Sequence, residues 1–154
     1  MSITLETKSI LQLEEIHQIV NLIDYAQTSS DAFHRSYHRI LFSIVEAIEL
    51  EASFSLAFNP KLIGVAYGYK IENLTKDNPV FYISDIAVNP DYREKGTARA
   101  MIKELESFAR TANYNKICAD IKFGSKSYNL FKSSGYVYTN KDSNIGFQKF
   151  FKPL

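Results

Sequence analysis

Residues 80–112 constrain the fold of this chain more than any other stretch. An apolar, β-branched segment ends at Asn89-Pro90, and a basic loop with one glycine follows it. Because the first N–H groups of a helix lack intrahelical partners and lie at the positive end of its dipole, a loop that leads into a helix suits a phosphate group. Apolar residues do recur after the loop at helical spacing, at Ala98, Met101, Ile102, Leu105, Ala109 and Ala112.

The composition indicates a single domain that occupies residues 1–154. Lysine and arginine total 18 and aspartate and glutamate 17, so the net charge of +1 gives no general attraction to nucleic acid or to a membrane surface. No charged leader precedes an apolar block, and no window approaches the roughly 18 apolar residues of a membrane span. The lone Cys118 argues against disulfides and cysteine-based metal sites. We expect a cytoplasmic protein without nucleic-acid or membrane partners.

The first half of the chain predicts a short strand, two helices and a β-hairpin. Ser9 and Gln12 have the spacing of a capping box that opens the first helix. Ser30 or Asp31 then caps a second helix, whose apolar stripe begins at Phe33. Two alternating segments around an Asn-Pro-Lys turn form the hairpin, and a polar connection leads from it to the strand that precedes the glycine loop.

The second half predicts a strand at residues 116–122, a short helix at 127–134 that ends at Gly135, and an antiparallel pair at 136–139 and 145–151. The complete order is β, α, α, β, β, β, α, β, α, β, β. Since the chain shows no internal repeats or linkers, these strands should share one mixed sheet with helices on both faces.

Three segments together resemble the GCN5-related N-acetyltransferase (GNAT) superfamily. The family's nucleotide-binding pattern, Gln or Arg, two residues, Gly, one residue, Gly or Ala, is present as Arg93-Glu94-Lys95-Gly96-Thr97-Ala98. Ile86-Ala87-Val88-Asn89-Pro90-Asp91-Tyr92 precedes it, and Leu130-Phe131-Lys132-Ser133-Ser134-Gly135-Tyr136 matches the family's later aromatic-glycine segment. The resemblance implies an α/β fold with a mixed, mostly antiparallel sheet of six to seven strands, splayed between strands 4 and 5, with helices on both faces.

The resemblance also implies acetyl-CoA as co-substrate and no metal. Gly96 permits close backbone approach, and successive N–H groups of the loop suit a pyrophosphate. The fourth strand would bind the pantetheine arm, and the N–H near Ile86 is the expected oxyanion donor. The expected cofactor-binding residues are Ile86, Ala87, Val88, Arg93, Glu94, Lys95, Gly96, Thr97, Ala98, Arg99, Ser127 and Phe131.

Asp85 is the unusual residue of the apolar fourth strand. One interpretation is a carboxylate satisfied by neighbouring backbone or facing a cleft. The other is a catalytic base or an amine-orienting group, since family members often carry an acid pair where this chain has Ser84-Asp85. The sequence leaves both interpretations open.

The chain departs from the family pattern in the helix that precedes Gly135. Many members carry there a tyrosine that protonates the leaving thiolate, and this position is Phe131. Tyr128, one turn earlier, is the substitute candidate for the catalytic acid. Gly124 stands where an Asn is common, and Ser127 replaces a small Ala while keeping a hydroxyl for pantetheine.

Two functions follow from these residues. The first is an N-acetyltransferase, in which a primary amine attacks acetyl-CoA directly and the catalytic residues are Asp85, Ile86 and Tyr128. The alternative is a non-catalytic GNAT-fold protein that binds CoA or acyl-CoA as a sensor or interaction module, which Phe131 and Gly124 favour.

The acceptor is expected to be a small-molecule or peptide amine. Glu46, Glu49 and Glu51 cluster near the end of the second helix and, with Tyr67 and Tyr69, would suit a cationic amine, although such a cluster is usually a solvated face.

The C-terminal strands carry Phe147, Phe150 and Phe151, which either cover the core or form a homodimer interface.

Overall fold

The computed structural model describes residues 2–28, 34–72, 79–121, 126–141 and 144–150. Within these ranges the chain forms seven strands and four α-helices in the predicted order. The strands are β1 (Thr4–Lys8), β2 (Ser53–Asn59), β3 (Lys61–Ile71), β4 (Val80–Val88), β5 (Lys116–Ala119), β6 (Val137–Lys141) and β7 (Asn144–Phe150). The helices are α1 (Leu13–Thr28), α2 (Tyr37–Glu49), α3 (Thr97–Thr111) and α4 (Lys126–Ser133).

The strands pair in the order β1-β2-β3-β4-β5-β7-β6. The β4–β5 pair is parallel and the other described pairs are antiparallel. Helices α1 and α2 cover one face of the sheet, and α3 covers the other. The prediction of a mixed, mostly antiparallel sheet with helices on both faces is therefore confirmed.

Strand β4 is buried on both faces because it separates two hydrophobic cores. Its Phe81, Ile83 and Val88 pack with α3, whereas Ala87 faces α1 and α2. The α3 core also contains the fully buried side chains Met101, Ile102, Leu105, Ile117 and Phe131. The opposite core contains Ile19, Ile23, Ile40, Ile44, Phe54, Leu56 and Tyr67.

Strands β4 and β5 separate part-way along β4. Their parallel register runs from Val80 opposite Lys116 to Ile83 opposite Ala119, where β5 ends. On the other side, β4 stays paired with β3 as far as Val88, with a register shift that makes Ser84 an extra residue. The second half of β4 therefore presents an edge that β5 does not cover, as the splayed sheet requires.

The first two helices begin later than the sequence predicted. The carboxylate of Glu15 caps the start of α1 by accepting a hydrogen bond from the Gln12 N–H at 2.8 Å. The capping box predicted at Ser9 is therefore wrong. At α2, Ser36 is the cap, and its Oγ accepts the Arg39 N–H at 3.4 Å. Helix α2 therefore begins at Tyr37, and the predicted cap residues Ser30 and Asp31 and the first residue of the predicted apolar stripe, Phe33, lie outside the described residues.

The glycine after α4 ends the helix as predicted. Gly135 has a positive φ of 86°, the Tyr136 N–H donates to the carbonyl of Phe131 at 3.1 Å, and the Gly135 N–H donates to that of Lys132 at 3.2 Å. These two bonds form a Schellman motif. Strand β5 ends at Ala119, earlier than the predicted residue 122. Gly124, Phe151 and the side chains of Phe147 and Phe150 lie outside the described part of the chain.

Candidate functional site

A cavity of about 580 Å³ lies where β4 ends and α3 begins. This volume is in the range of small-molecule sites. Its wall combines the end of β4, the loop before α3, the first turn of α3 and one face of α4. The lining residues are Val88, Tyr92, Arg93, Glu94, Gly96, Thr97, Ala98, Arg99, Asn129, Leu130 and Ser133.

The loop that enters α3 has a backbone conformation that favours glycine. Glu94 and Gly96 have positive φ angles of 63° and 82°. A Cβ placed on Gly96 would meet no atom within 4 Å, so this position faces open space beside the cavity. The first helical bond runs from the Ala100 N–H to the Gly96 carbonyl, which leaves the N–H groups of the preceding turn for a ligand.

Thr97 adds an unsatisfied polar atom to the same wall. The residue is 3% exposed, and within the described part of the chain its Oγ1 has no hydrogen-bond partner. A buried hydroxyl without a partner costs about 1–3 kcal/mol. Together with Gly96, Thr97 fits a bound group rich in hydrogen-bond acceptors, such as a pyrophosphate.

Arg93 is oriented mainly toward protein carbonyls. Its Nη2 donates to the carbonyl of Ala26 at 2.8 Å, and its Nε donates to that of Val88 at 3.2 Å. The guanidinium therefore connects the end of β4 to the last turns of α1.

The two other basic residues of the loop region are more exposed. Lys95 donates to the carbonyl of Asp91 at 3.1 Å and lies 5.2 Å from the centre of the Tyr92 ring, outside the cavity lining. Arg99 lines the cavity and donates from Nη2 to Ser133 Oγ at 2.7 Å. Arg99 is thus the better placed of the two for an anion in the cavity.

The N–H of Ile86 has a partner within its own strand. It donates to Oδ1 of Asp85 at 3.0 Å. Val88 lines the cavity, whereas Ala87 faces α1 and α2, so the three predicted β4 residues do not share one orientation.

The second oxygen of Asp85 binds a residue that sequence reasoning missed. Oδ2 lies 2.5 Å from Nη2 of Arg35, which follows the described end of α1 by several positions. Gln27 holds this arginine in place, because its Oε1 accepts from Arg35 Nε at 3.1 Å and from the Arg35 N–H at 3.2 Å. A charge partner this distant in sequence leaves no local motif, so the pattern of residues carried no signal for it.

The tyrosines of the hairpin region have different surroundings. Tyr67 is fully buried and stacks on Phe54 with 5.2 Å between ring centres, and this burial raises the pKa of Tyr67. Tyr69 contacts Tyr82 edge-on at 5.7 Å, and the Tyr82 hydroxyl donates to Oδ2 of Asp120 at 3.4 Å. Burial and then the Asp120 charge raise the pKa of Tyr82, so both phenols stay protonated at neutral pH.

Helix α4 presents a different face to the cavity than the sequence suggested. Phe131 is fully buried and contacts Tyr136 edge-on at 4.8 Å, and Tyr128 contacts Tyr138 edge-on at 5.7 Å. Ser127 is partly buried. The three predicted residues of α4, Ser127, Tyr128 and Phe131, do not line the cavity. The cavity side of α4 consists of Asn129, Leu130 and Ser133.

Four further findings concern the described residues away from the cavity. Glu46, Glu49 and Glu51 are exposed at the end of α2. Burial raises the pKa of the Cys118 thiol to about 11, which fits a structural cysteine. Within the described ranges, no cluster of three or more His, Cys, Asp or Glu residues could hold a metal ion, and no helix is long and apolar enough to cross a membrane.

A family model described as the acetyltransferase (GNAT) family matches residues 13–136. A search of curated protein sequences gives no significant match.

Solved structures share the architecture at low sequence identity. The NatC complex bound to Gag peptide and CoA contains a chain with a TM-score of 0.75 and 16% identity, covering 99% of this chain and 100% of that one. The PaiA N-acetyltransferase from Thermoplasma acidophilum in complex with coenzyme A has a TM-score of 0.72 and 14% identity, covering 96% of this chain and 99% of that one. An aminoglycoside N-acetyltransferase in complex with CoA has a TM-score of 0.71 and 14% identity, covering 99% of this chain and 95% of that one. At these identities the likeness shows the fold alone.

Proposed function

This chain belongs to the acetyltransferase (GNAT) family, and we propose that it transfers an acetyl group from acetyl-CoA to a primary amine. The observation that carries the proposal is the cavity at the start of α3, which the open Gly96 position and Thr97, whose hydroxyl has no partner in the described chain, line together with Val88 at the uncovered end of β4. Three structural neighbours were solved in complex with CoA, which supports the same co-substrate here.

The cavity residues divide the binding of acetyl-CoA between backbone and side chains. The N–H groups of Gly96, Thr97 and Ala98 would bind the pyrophosphate, and Arg99 would add a positive charge at the rim. The uncovered edge of β4, at residues 84–88, would accept the pantetheine arm as an added strand. Bound acetyl-CoA supplies an activated thioester carbonyl for acyl transfer.

Asp85 and Ile86 would act together at the thioester. The Ile86 N–H now bonded to Oδ1 of Asp85 would turn to the thioester oxygen and stabilise its developing charge. The amine nitrogen bonds to the carbonyl carbon, the carbon–sulfur bond breaks, and sulfur leaves with the bonding pair as a thiolate. Oδ1 of Asp85, released from the Ile86 N–H, accepts the surplus proton of the amine directly or through a water molecule and passes it to solvent.

The leaving thiolate does not need a strong acid from α4. A thiol has a pKa near ~8.5, so its thiolate leaves without obligatory protonation close to neutral pH. Losing a general acid costs at most the ~10²–10⁴-fold that such groups usually contribute. Since Phe131 has no proton and Tyr128 packs on Tyr138, we propose turnover without side-chain acid catalysis from this helix.

Thiol release from acetyl-CoA against a panel of amines, together with calorimetric titration of CoA, tests this proposal. We expect CoA binding and amine-dependent thiol release. Asp85→Asn should lower kcat by about 10²–10⁴-fold while changing the Kd for CoA less than about twofold. Asp24→Asn, which removes an exposed carboxylate on α1, is the matched control and should behave like the wild type. Absence of both CoA binding and thiol release would overturn the proposal.

One observation favours the alternative of a CoA-binding protein without turnover. Phe131 is fully buried against Tyr136, so α4 offers no phenol at the position where the family commonly has one. Tight CoA binding without thiol release, unchanged in Phe131→Tyr, would support this alternative over the enzyme.

The proposed acceptor is a small-molecule or peptide amine. One structural neighbour is bound to a Gag peptide and another is an aminoglycoside N-acetyltransferase, so the fold accommodates both classes in those proteins. A cytoplasmic location, the single domain over 1–154 and a homodimer through the C-terminal strands stay predictions.

A further inference from the structure

A second cavity, of about 470 Å³, lies at the start of α2. Its lining consists of Arg35, His38, Arg39, Phe42 and Ser43. From these residues we infer that the acceptor amine carries an anionic group, a carboxylate or a phosphate, that binds between Arg35 and Arg39. This inference rests on the proposed acetyl transfer and specifies its substrate class.

Positive charge exceeds negative charge around this cavity. Two guanidinium groups line it, and no carboxylate is among the lining residues that the structure describes. Arg35 is paired with Asp85, whereas Arg39 forms no ion pair within the described ranges. Arg35 and Arg39 together exceed Asp85 by one positive charge, which favours an anion. A guanidinium binds carboxylate and phosphate oxygens in a bidentate geometry.

Arg35 connects this cavity to the site of transfer. One part of its guanidinium bonds to Asp85, which in turn accepts the Ile86 N–H, and the same side chain lines the second cavity. Because Gln27 fixes Arg35 by three hydrogen bonds, the position of a bound anion relative to β4 is fixed as well. An anion held there would direct the amine of the same molecule toward the uncovered edge of β4.

The remainder of the cavity suits a short hydrocarbon spacer. Phe42 is 69% exposed, which is high for so large an apolar side chain, and it forms part of the cavity wall. A methylene chain between the amine and the anion would cover part of this ring and gain from its burial.

A cationic acceptor fits this geometry less well. Glu46 lies nine residues beyond Tyr37, the first residue of α2, which corresponds to roughly 14 Å at the rise of an α-helix. The acidic cluster therefore lies at the opposite end of α2 from Arg35, the partner of Asp85, and Tyr67 is buried in the core. Among the acidic cluster, Tyr67 and Tyr69, only Tyr69 is both close to β4, beside Tyr82 and Asp120, and partly exposed within the described residues.

Matched amines test the inference through the ratio of their kcat/KM values in thiol release. The pairs are β-alanine with β-alaninamide and O-phosphoethanolamine with ethanolamine, which separate carboxylate from phosphate. We expect the anionic member of at least one pair to be preferred by about 10- to 100-fold, mainly through KM. Arg39→Gln should reduce this preference about tenfold, and Arg39→Lys should restore part of it. Lys103→Gln, which removes one exposed charge on α3, should keep the wild-type preference.

Two results would overturn the inference. One is equal or better use of the neutral or cationic amines, which would assign recognition to the Tyr82–Asp120 pair. The other is an anion preference that Arg39→Gln leaves unchanged in a variant with a wild-type melting curve. If no amine gives thiol release, the proposed acetyl transfer is wrong, but the anion site is still testable. Calorimetric titration with N-acetyl-β-alanine then shows whether the site binds an anion. Binding that Arg39→Gln abolishes would support the anion site, and absent or unchanged binding would refute it.

Discussion

Arg35 and Asp85 lie fifty positions apart in the chain, and their side chains form an ion pair with 2.5 Å between Nη2 and Oδ2. Both side chains are partly buried, at 29% and 17% exposure. The pair joins the segment before α2 to β4 at the point where the extra residue Ser84 interrupts the β3–β4 register. Asp85 is therefore a carboxylate with both oxygens bonded, one by Arg35 and the other by the Ile86 N–H.

We predict that Arg35 and Asp85 stabilise the fold cooperatively. In a double-mutant cycle with Arg35→Gln and Asp85→Asn, urea unfolding should give a coupling free energy of about 1–2 kcal/mol, between the values for exposed and buried pairs. If the losses of unfolding free energy in the two single variants add up to the loss in the double variant within about 0.3 kcal/mol, the pair has no cooperative role.

Gly96→Ala should weaken CoA binding as well as the fold. Gly96 and Gly135 both have a positive φ, so alanine at either position should lower the free energy of unfolding by about 1–2 kcal/mol. Only Gly96 lines the cavity, where the new Cβ would occupy open space. Calorimetry should therefore show weaker CoA binding for Gly96→Ala and unchanged binding for the control Gly135→Ala. An equal Kd for CoA in both variants would show that Gly96 is not part of the binding site.

Two glycines of β3 should differ in their tolerance of alanine. A Cβ at Gly68 would lie 2.5 Å from the carbonyl oxygen of Tyr82 and 2.7 Å from the Phe81 ring, and neither can move aside cheaply. At Gly64 the nearest atom is the flexible methyl end of Met101, at 3.0 Å. Urea unfolding should show a loss near the upper end of about 1–3 kcal/mol for Gly68→Ala and a smaller loss for Gly64→Ala. The reverse order would contradict the packing described for β3.

Glu15 should make the stability of the fold depend on pH. The Gln12 N–H and then the Lys8 ammonium lower the pKa of the Glu15 carboxyl below its usual 4.5. A group whose pKa is lower in the folded state stabilises the fold above its unfolded pKa, and this contribution is lost as pH falls through the folded pKa. The difference in unfolding free energy between wild type and Glu15→Gln should therefore be largest above about pH 4.5 and shrink as the pH falls below it. A difference that stays constant with pH would contradict this assignment.

The element order was predictable because it depends on patterns that a sequence carries directly. Alternation in the hairpin, the apolar stripe of α3 and the glycine after α4 each report a local property, and all three were confirmed. The caps were predicted less well, because Glu15 and Ser36 were not distinguished from other polar residues with similar spacing. Such bonds depend on where the helix enters the fold, which composition does not determine.

The glycine loop was predictable for the same local reason, whereas its surroundings were not. Arg35 reaches Asp85 only because α1 and α2 pack across the sheet, and no periodicity encodes that contact. In α4, matching positions to a family pattern placed Phe131 in the cavity, but the fold turns that ring into the core and presents Asn129 and Ser133 instead.

Titration of the isotopically labelled protein with CoA, followed through backbone amide signals, tests whether acetyl-CoA binds at the start of α3. The signals of Gly96, Thr97 and Ala98 should shift with saturation, and Thr97→Val should weaken the binding without loss of folded stability, since the Thr97 hydroxyl has no described protein partner. Shifts confined to other parts of the chain, or none at millimolar CoA, would contradict the assignment of this cavity to acetyl-CoA.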